Sequence, residues 1–309
     1  MSKLLKLESL DKKHDLQIDY SFTFRCNYDC SYCDSHDVNH PLLTRNYKEI
    51  SDALNYLTNF YPNKKIIFTF LGGEPFLYKD LVKVLTNLNK GYATVLTNLS
   101  ISTSYIKKNF LSKYNNNFNI VASYHPEFSD PDEFIEKILL IKKIGYKISG
   151  SIVMHPNKDF FQKAIYILDK LPKNSGVHTL WNTASNSKHY GKQYKYTDYQ
   201  KKIIKKYVDK SKDRLKATYD NKTIYLDSRF MTINSLNNFN GMKCHAGHEK
   251  LHILESGEIF AAGCFLQHRQ LSLGNIFNRT FKAPTSVITC PFTFCGCISD
   301  IKITKEAQN

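Results

Sequence analysis

Between residues 16 and 183, short runs rich in β-branched and aromatic residues alternate with stretches whose apolar residues recur at i, i+3 and i+4. The runs "LQIDYSFTF" (16–24), "KIIFTFLG" (65–72), "YATVLTNL" (92–99), "FNIVASYH" (118–125), "YKISGSIVM" (146–154) and "VHTLWNT" (177–183) are punctuated by Gly, Asn or Pro and read as six strands. Between them, residues 46–61, 78–90, 102–114, 130–145 and 158–171 read as five helices. The fourth has the clearest ends: Asp130 as N-cap, Pro131 in the first helical position and Gly145 as the stop. Such alternation predicts an α/β fold whose parallel sheet has right-handed crossovers, curved into a partial (β/α)6 barrel or left open and doubly wound. Either way, ligands collect at the C-terminal ends of the strands.

A chain of 309 residues, 42% of them hydrophobic, can bury one large domain or a domain with a small appendage, and it is not a disordered chain. The opening "MSKLLKLESLDKKHDLQ" is broken by charge and lacks the apolar core of a signal peptide, and no later run is long enough to span a bilayer. We therefore expect a soluble cytoplasmic protein with no membrane partner. In that reducing compartment eight cysteines point to metal ligands or reactive thiols rather than disulfides. Three lie near the N-terminus, and Cys244, Cys264, Cys290, Cys295 and Cys297 lie in the last quarter, so two metal sites are expected. Much of the net charge of +15 sits in residues 187–216, where lysines and tyrosines interleave in a way that would suit nucleic acid. The plainer reading, which we prefer, is a solvated helix that turns Tyr199, Ile203, Ile204, Tyr207 and Val208 inward.

Cys26, Cys30 and Cys33, spaced CxxxCxxC, fall directly after the first strand, on the face where ligands belong. A tetrahedral zinc is one candidate, with Asp34 or His36 as fourth ligand. A 4Fe–4S cluster with one iron left open is the other. The stretch "CNYDCSYC", with the aromatic Tyr32 before the third cysteine, resembles the cluster loop of the radical S-adenosylmethionine (SAM) superfamily, and "LGGEP" (71–75) follows the second strand as it does there. The resemblance implies the partial barrel. It also implies a cluster on Cys26, Cys30 and Cys33 that binds SAM, and SAM contacts from Gly72, Gly73, Glu74 and Pro75. Glycines permit close backbone approach, and the Glu74 carboxylate suits the SAM ammonium group. Polar residues at later strand ends, Thr97, Asn98, Ser123 and Ser151, are further cofactor-binding candidates, with Glu127 on the same face. His125, held extended by Pro126, is a candidate catalytic base or hydrogen-bond donor.

Residues 244–277 read as a cysteine, a strand "LHIL", a turn at Ser256-Gly257, a second strand "EIFAAGC" and then "LGNIF". With "CPFTFCGC" (290–297), the segment resembles the SPASM and shorter twitch extensions of radical SAM enzymes, which implies an auxiliary 4Fe–4S cluster on four of Cys244, Cys264, Cys290, Cys295 and Cys297. The fifth, Cys295 or Cys297, is a candidate hydrogen-atom donor. A zinc knuckle of Cys244 with His245, His248 or His252 is the rival. The expected organisation is a core over residues 1–216 and a small Cys-rich hairpin and helix extension over 217–309. The resemblance implies cleavage of SAM to a 5′-deoxyadenosyl radical, hydrogen abstraction from a substrate C–H bond, and electrons from a flavodoxin- or ferredoxin-type reductant. About fifteen residues precede the first strand so drawn, which leaves little room for a leader-peptide domain. A small polar metabolite is therefore the first choice of substrate, ahead of a peptide acted on by a maturase or epimerase. The non-enzymatic alternative is a zinc-binding nucleic-acid adaptor.

Overall fold

The computed structural model describes residues 3–308 apart from 11, 13, 34–36, 112–116, 172–176, 184–194, 209–213 and 268–271. Asp34, His36 and much of the lysine- and tyrosine-rich segment lie outside the described residues. In chain order the strands are β1 (Leu4–Ser9), β2 (Leu16–Thr23), β3 (Ile66–Gly72), β4 (Tyr92–Thr97), β5 (Phe118–Tyr124), β6 (Ile148–Met154) and β7 (His178–Thr183). They continue with β8 (Leu215–Tyr219), β9 (Thr223–Leu226), β10 (Lys243–Cys244), β11 (Lys250–Ile253), β12 (Glu258–Phe260), β13 (Ser272–Asn275), β14 (Ile288–Thr289) and β15 (Lys305–Glu306). The helices are α1 (Tyr47–Thr58), α2 (Leu81–Thr86), α3 (Thr103–Asn109), α4 (Pro131–Ile144), α5 (Lys158–Lys170), α6 (Asp198–Val208), α7 (Ser228–Ile233), α8 (Gly263–Gln267) and α9 (Ile298–Ile301).

The six strands and five helices expected between residues 16 and 183 are all present, and β2 to β7 stand in chain order in one sheet. The pairings β4–β5, β5–β6 and β6–β7 are parallel. Helix α4 begins and ends as its sequence predicts: the Asp130 side chain accepts from the Asp132 and Glu133 N–H groups, and Gly145 takes the left-handed conformation, φ 107°. Helix α2 is shorter than expected because Pro75 and the Glu74 cap open a separate 3-10 turn, Pro75–Leu77, and the chain enters the helix only at Leu81.

Two compact units divide the chain. The first comprises Ser21–Ser51 and Thr69–Lys210. Its core follows the alternation along β5, where Phe118, Ile120, Ala122 and Tyr124 are buried. Ile138 and Ile141 of α4 and Phe161, Ala164 and Ile167 of α5 are buried too. Helix α6 forms, with Ile204 buried, but Tyr199 is exposed and Gln200 is the side chain turned inward, donating to the Pro156 carbonyl at 2.7 Å. The side chains of Tyr207 and Val208 lie outside the described residues.

The second unit comprises Met1–Tyr20, Asp52–Phe68 and Ser211–Asn309. It contains β1, which lies among the residues that precede the first strand read from the sequence, in a six-stranded sheet of order β14-β10-β15-β1-β8-β9. Its signal was weak because "LLKLES" mixes charge with leucine and its partners, β8 and β15, lie far along the chain. The C-terminal hairpin is present as β11 and β12, and β11 pairs in parallel with residues 17–20 of β2. Cys264, read as the end of a strand, instead lies in the short helix α8. Lys250 is almost wholly buried between Asp19 Oδ2 (2.8 Å) and Asp300 Oδ1 (2.6 Å). Burial pushes the Asp19 carboxyl up, but the Lys250 ammonium outweighs it and the net shift is downward. No helix among the described residues is long and apolar enough to cross a membrane.

Candidate active site

In the first unit the loop after β2 brings Cys26 and Cys30, both buried, and the half-buried Cys33 to the wall of a cavity of about 260 Å3. Gly72, Gly73, Thr97, Asn98, Ser123 and His125 line the same space. All belong to the C-terminal ends of the parallel strands or the loops just after them, where the alternation places a ligand.

The two glycines are required by the chain itself. A Cβ on Gly72, at φ 128°, would lie 2.1 Å from the Thr23 carbonyl oxygen, and one on Gly73 would lie 2.1 Å from that of Arg25. Side chains there would push apart backbone already joined by the Gly73 N–H to Thr23 O bond (2.6 Å) and the Glu74 N–H to Arg25 O bond (2.8 Å). Glu74 differs from its expected part. Its carboxylate is fully buried and does not line the cavity. It accepts from the Phe76 N–H (2.9 Å), the Thr97 hydroxyl (2.8 Å) and the Asn98 N–H (2.7 Å), which ties the end of β3 to the end of β4. Burial raises its pKa to about 7 against the pull of those three donors.

Asn98 continues the tie to the cysteine loop, its amide donating to Asn27 Oδ1 at 3.0 Å and lying 3.8 Å from Cys26 Sγ. On the other side, Glu127 accepts from the Ser31 N–H at 2.8 Å and from the Ser31 hydroxyl. Tyr32 is buried, does not line the cavity, and stacks on His125 with ring planes 5° apart. His125 Nδ1 stands 3.1 Å from the Tyr32 hydroxyl and 3.6 Å from Cys30 Sγ. Ser123 pairs in register with Ser151, which is buried and does not line the cavity, and Pro75 is buried in its 3-10 turn. Burial pushes the Cys30 thiol up to about 12 and shifts Cys26 in the same direction.

Among the described residues no three His, Cys, Asp or Glu side chains converge tightly enough to hold one metal ion. The three thiols stand instead around a volume suited to a larger sulfur-bound group, which their donor chemistry fits.

In the second unit Cys244, Cys290 and Cys295 are buried in one apolar core with Ala246, Phe260 and Phe265, and Cys264 packs against it. Asn237 fixes Cys295 through both backbone groups: its carbonyl accepts the Cys295 N–H (2.9 Å) and its amide donates to the Cys295 carbonyl (2.8 Å). Cys297 lies outside that core. It caps α9, with Sγ 3.0 Å from Ser299 Oγ, on the side of Lys250. Of the histidines of the zinc alternative, His248 Nε2 lies 3.0 Å from the Ser286 carbonyl oxygen, and His245 Nε2 is buried without a hydrogen-bond partner among the described residues, 3.6 Å from a Glu306 oxygen. Lys305, buried and directly opposite Cys244 across the β10–β15 pairing, donates to the carbonyls of Asp300, Ile301 and Ile303. No sequence signal marked Lys305, Lys250 or Asn237, since each depends on partners distant in the chain. Glu127 carried only its position after a strand.

Residues 20–165 match the Radical SAM superfamily. Among solved structures, Streptococcus suis SuiB bound to S-adenosylmethionine superposes with a TM-score of 0.59 at 18% identity, covering 85% of this chain and 64% of that one. SuiB bound to precursor peptide SuiA gives 0.58 at 18% identity, covering 86% and 63%. Native anSMEcpe with bound AdoMet and Kp18Cys peptide gives 0.55 at 17% identity, covering 86% and 78%. The chain thus spans less than two thirds of SuiB's length, and at these identities the likeness is one of fold. No curated protein matches it.

Proposed function

With residues 20–165 as a radical SAM domain, we propose that the chain is an enzyme that holds a 4Fe–4S cluster on Cys26, Cys30 and Cys33, binds SAM in the same cavity and removes a hydrogen atom from a substrate C–H bond. The observation that carries the reading is three thiols around one cavity whose wall also includes Gly72, Gly73, Thr97, Asn98, Ser123 and His125. When bound, the cluster and SAM supply the one-electron cleavage from which hydrogen abstraction follows. The protein's own residues do the placing. Glu127 anchors the cysteine loop through Ser31, and Asn98 braces it through Asn27. Glu74 fixes Thr97 and Asn98 by hydrogen bonds, and Thr97, Asn98 and Ser123 are polar residues of the cavity wall that would hold SAM. The buried strands and the apolar side of the cavity exclude water from the reacting centre.

For the second unit we assign an auxiliary iron–sulfur cluster to Cys244, Cys264, Cys290 and Cys295, leaving Cys297 as the odd cysteine. Their shared core supports the choice, as does Lys305. Four thiolates bring negative charge into a dry interior, and a buried ammonium bonded to carbonyl oxygens is the charge that offsets it. A flavodoxin- or ferredoxin-type protein is the proposed electron donor. For the substrate, SuiB and anSMEcpe were each crystallised with a peptide, which keeps a peptide beside the small polar metabolite that the sequence favours.

Iron and sulfide analysis after anaerobic reconstitution tests the reading. We expect about eight irons per chain, from two clusters. Replacing Cys26, Cys30 and Cys33 together by Ala should remove about half of them and all SAM cleavage. SAM cleavage at the wild-type rate in that triple variant would defeat the assignment.

A further inference from the structure

The Cys30 sulfur lies among aromatic side chains. Two aromatic residues, one from the loop itself and one from the loop after β5, meet there. His125 Nδ1 is 3.6 Å from Cys30 Sγ, a hydrogen-bonding distance for an atom as large as sulfur, and the Tyr32 hydroxyl is 3.1 Å from the same Nδ1. The ring planes are nearly parallel, 5° apart, with centroids 6.0 Å apart, and Tyr28 meets His125 edge-on at 6.2 Å.

Counting hydrogens gives the arrangement a direction. In a metal-bound Cys30 the sulfur has lost its proton and only accepts. A hydroxyl and one imidazole N–H then stand beside three heavy atoms, Sγ, Oη and Nδ1. The tautomer with hydrogen on Nδ1 leaves none of them unsatisfied: one hydrogen runs between the ring nitrogen and the hydroxyl, and the other points to sulfur. The opposite tautomer leaves a single hydrogen for two acceptors. Ligation of Cys30 thus selects the tautomer in which the pair donates to it.

We propose that Tyr32 and His125 form a donor pair to Cys30 Sγ that raises the reduction potential of the SAM-binding cluster. The proposal rests on the cluster assignment made above. Reduction adds negative charge that is shared with the ligating sulfurs, and a hydrogen bond to sulfur stabilises the more negative state. On this account His125 is a positioning residue acting through Cys30 rather than the substrate-facing base that its place after a strand suggested. Tyr32 contributes its hydroxyl to the sulfur.

The experiment is an EPR-monitored redox titration of the reconstituted protein without SAM, on wild type, Tyr32→Phe, His125→Phe, the double variant and His125→Asn, with iron and sulfide measured for each. Tyr32→Phe and His125→Phe keep both rings and their stacking while removing the donors. We expect undiminished iron and a midpoint potential of the SAM-binding cluster shifted to more negative values in each, furthest in the double variant. Asn carries an amide nitrogen close to the position of Nδ1, so His125→Asn should return the potential most of the way to wild type. Unchanged potentials in both single variants and the double would overturn the proposal. So would a shift in His125→Phe that Asn does not reverse, since that would trace the effect to packing. A Cys30→Ala variant run alongside separates the two levels: if it keeps all of its iron, the cluster assignment itself is wrong and the donor pair falls with it.

Discussion

Glu74 shows how a residue type can be legible while its role is not. The "GGEP" stretch announced two glycines and a carboxylate at a strand end, and all three serve chain-to-chain contacts in the structure. Sequence reports that space is short at Gly72 and Gly73 and is silent on what fills it. The buried carboxyl has a consequence in pH. Its folded pKa of about 7 lies above the ordinary 4.5, so between those values the folded chain keeps a proton that the unfolded chain has released. Stability from this group is therefore complete below about 4.5 and is lost as the pH rises through 7, a change on the order of 3 kcal/mol. Gln at this position cannot titrate. Denaturant unfolding of the cluster-free protein should show the stability difference between wild type and Glu74→Gln narrowing across that window, and parallel pH profiles would refute the shifted carboxyl. The sequence marks Tyr32 and His125 separately, but their pairing is invisible without the fold, because one follows β2 and the other β5, with β3 and β4 between those strands in the sheet.

At the level of elements, reading succeeded wherever the determinants are local. Asp130, Pro131 and Gly145 bound α4 because capping is a matter of neighbours in sequence. It failed at β1, and at Cys264, where "EIFAAGC" reads as strand but the Asp300 carboxylate accepts the Cys264 N–H at 3.0 Å and starts α8. The loop from Cys290 to Cys297 belongs to the same class of long-range feature, since Asn237 holds it by both backbone groups of Cys295. Replacing Asn237 by Ala leaves a buried carbonyl without its donor, at a cost of about 1–3 kcal/mol. We expect Asn237→Ala to lower auxiliary iron while the SAM-binding cluster is retained, and Cys297→Ala to keep both complements of iron. Loss of auxiliary iron in Cys297→Ala, with retention in Cys295→Ala, would reverse the choice of ligands.

On the scale of the whole molecule, the expected single cut at residue 216 meets two units each assembled from separated segments. A boundary drawn along a sequence assumes that neighbours in the chain stay neighbours in space, and the N-terminal strand breaks that assumption. β1 lies between β8 and β15, pairing Leu7 with Ala217 on one side and with Lys305 on the other. On the ribosome this becomes a question of time. At roughly 5–20 residues per second, β1 waits through the synthesis of everything between it and β15 before its second edge is covered. Until then it offers unpaired N–H and C=O groups to any passing chain. Stalled nascent chains would show this directly: limited proteolysis should cut within residues 4–9 at every stall point short of residues 305 and 306 and stop once they emerge. Protection gained as soon as β8 is out would mean that one covered edge suffices. The pairing therefore makes an early strand dependent on one made much later, so a chaperone that shields residues 4–9 as they emerge should raise the yield of folded protein more than one acting after β15 is made.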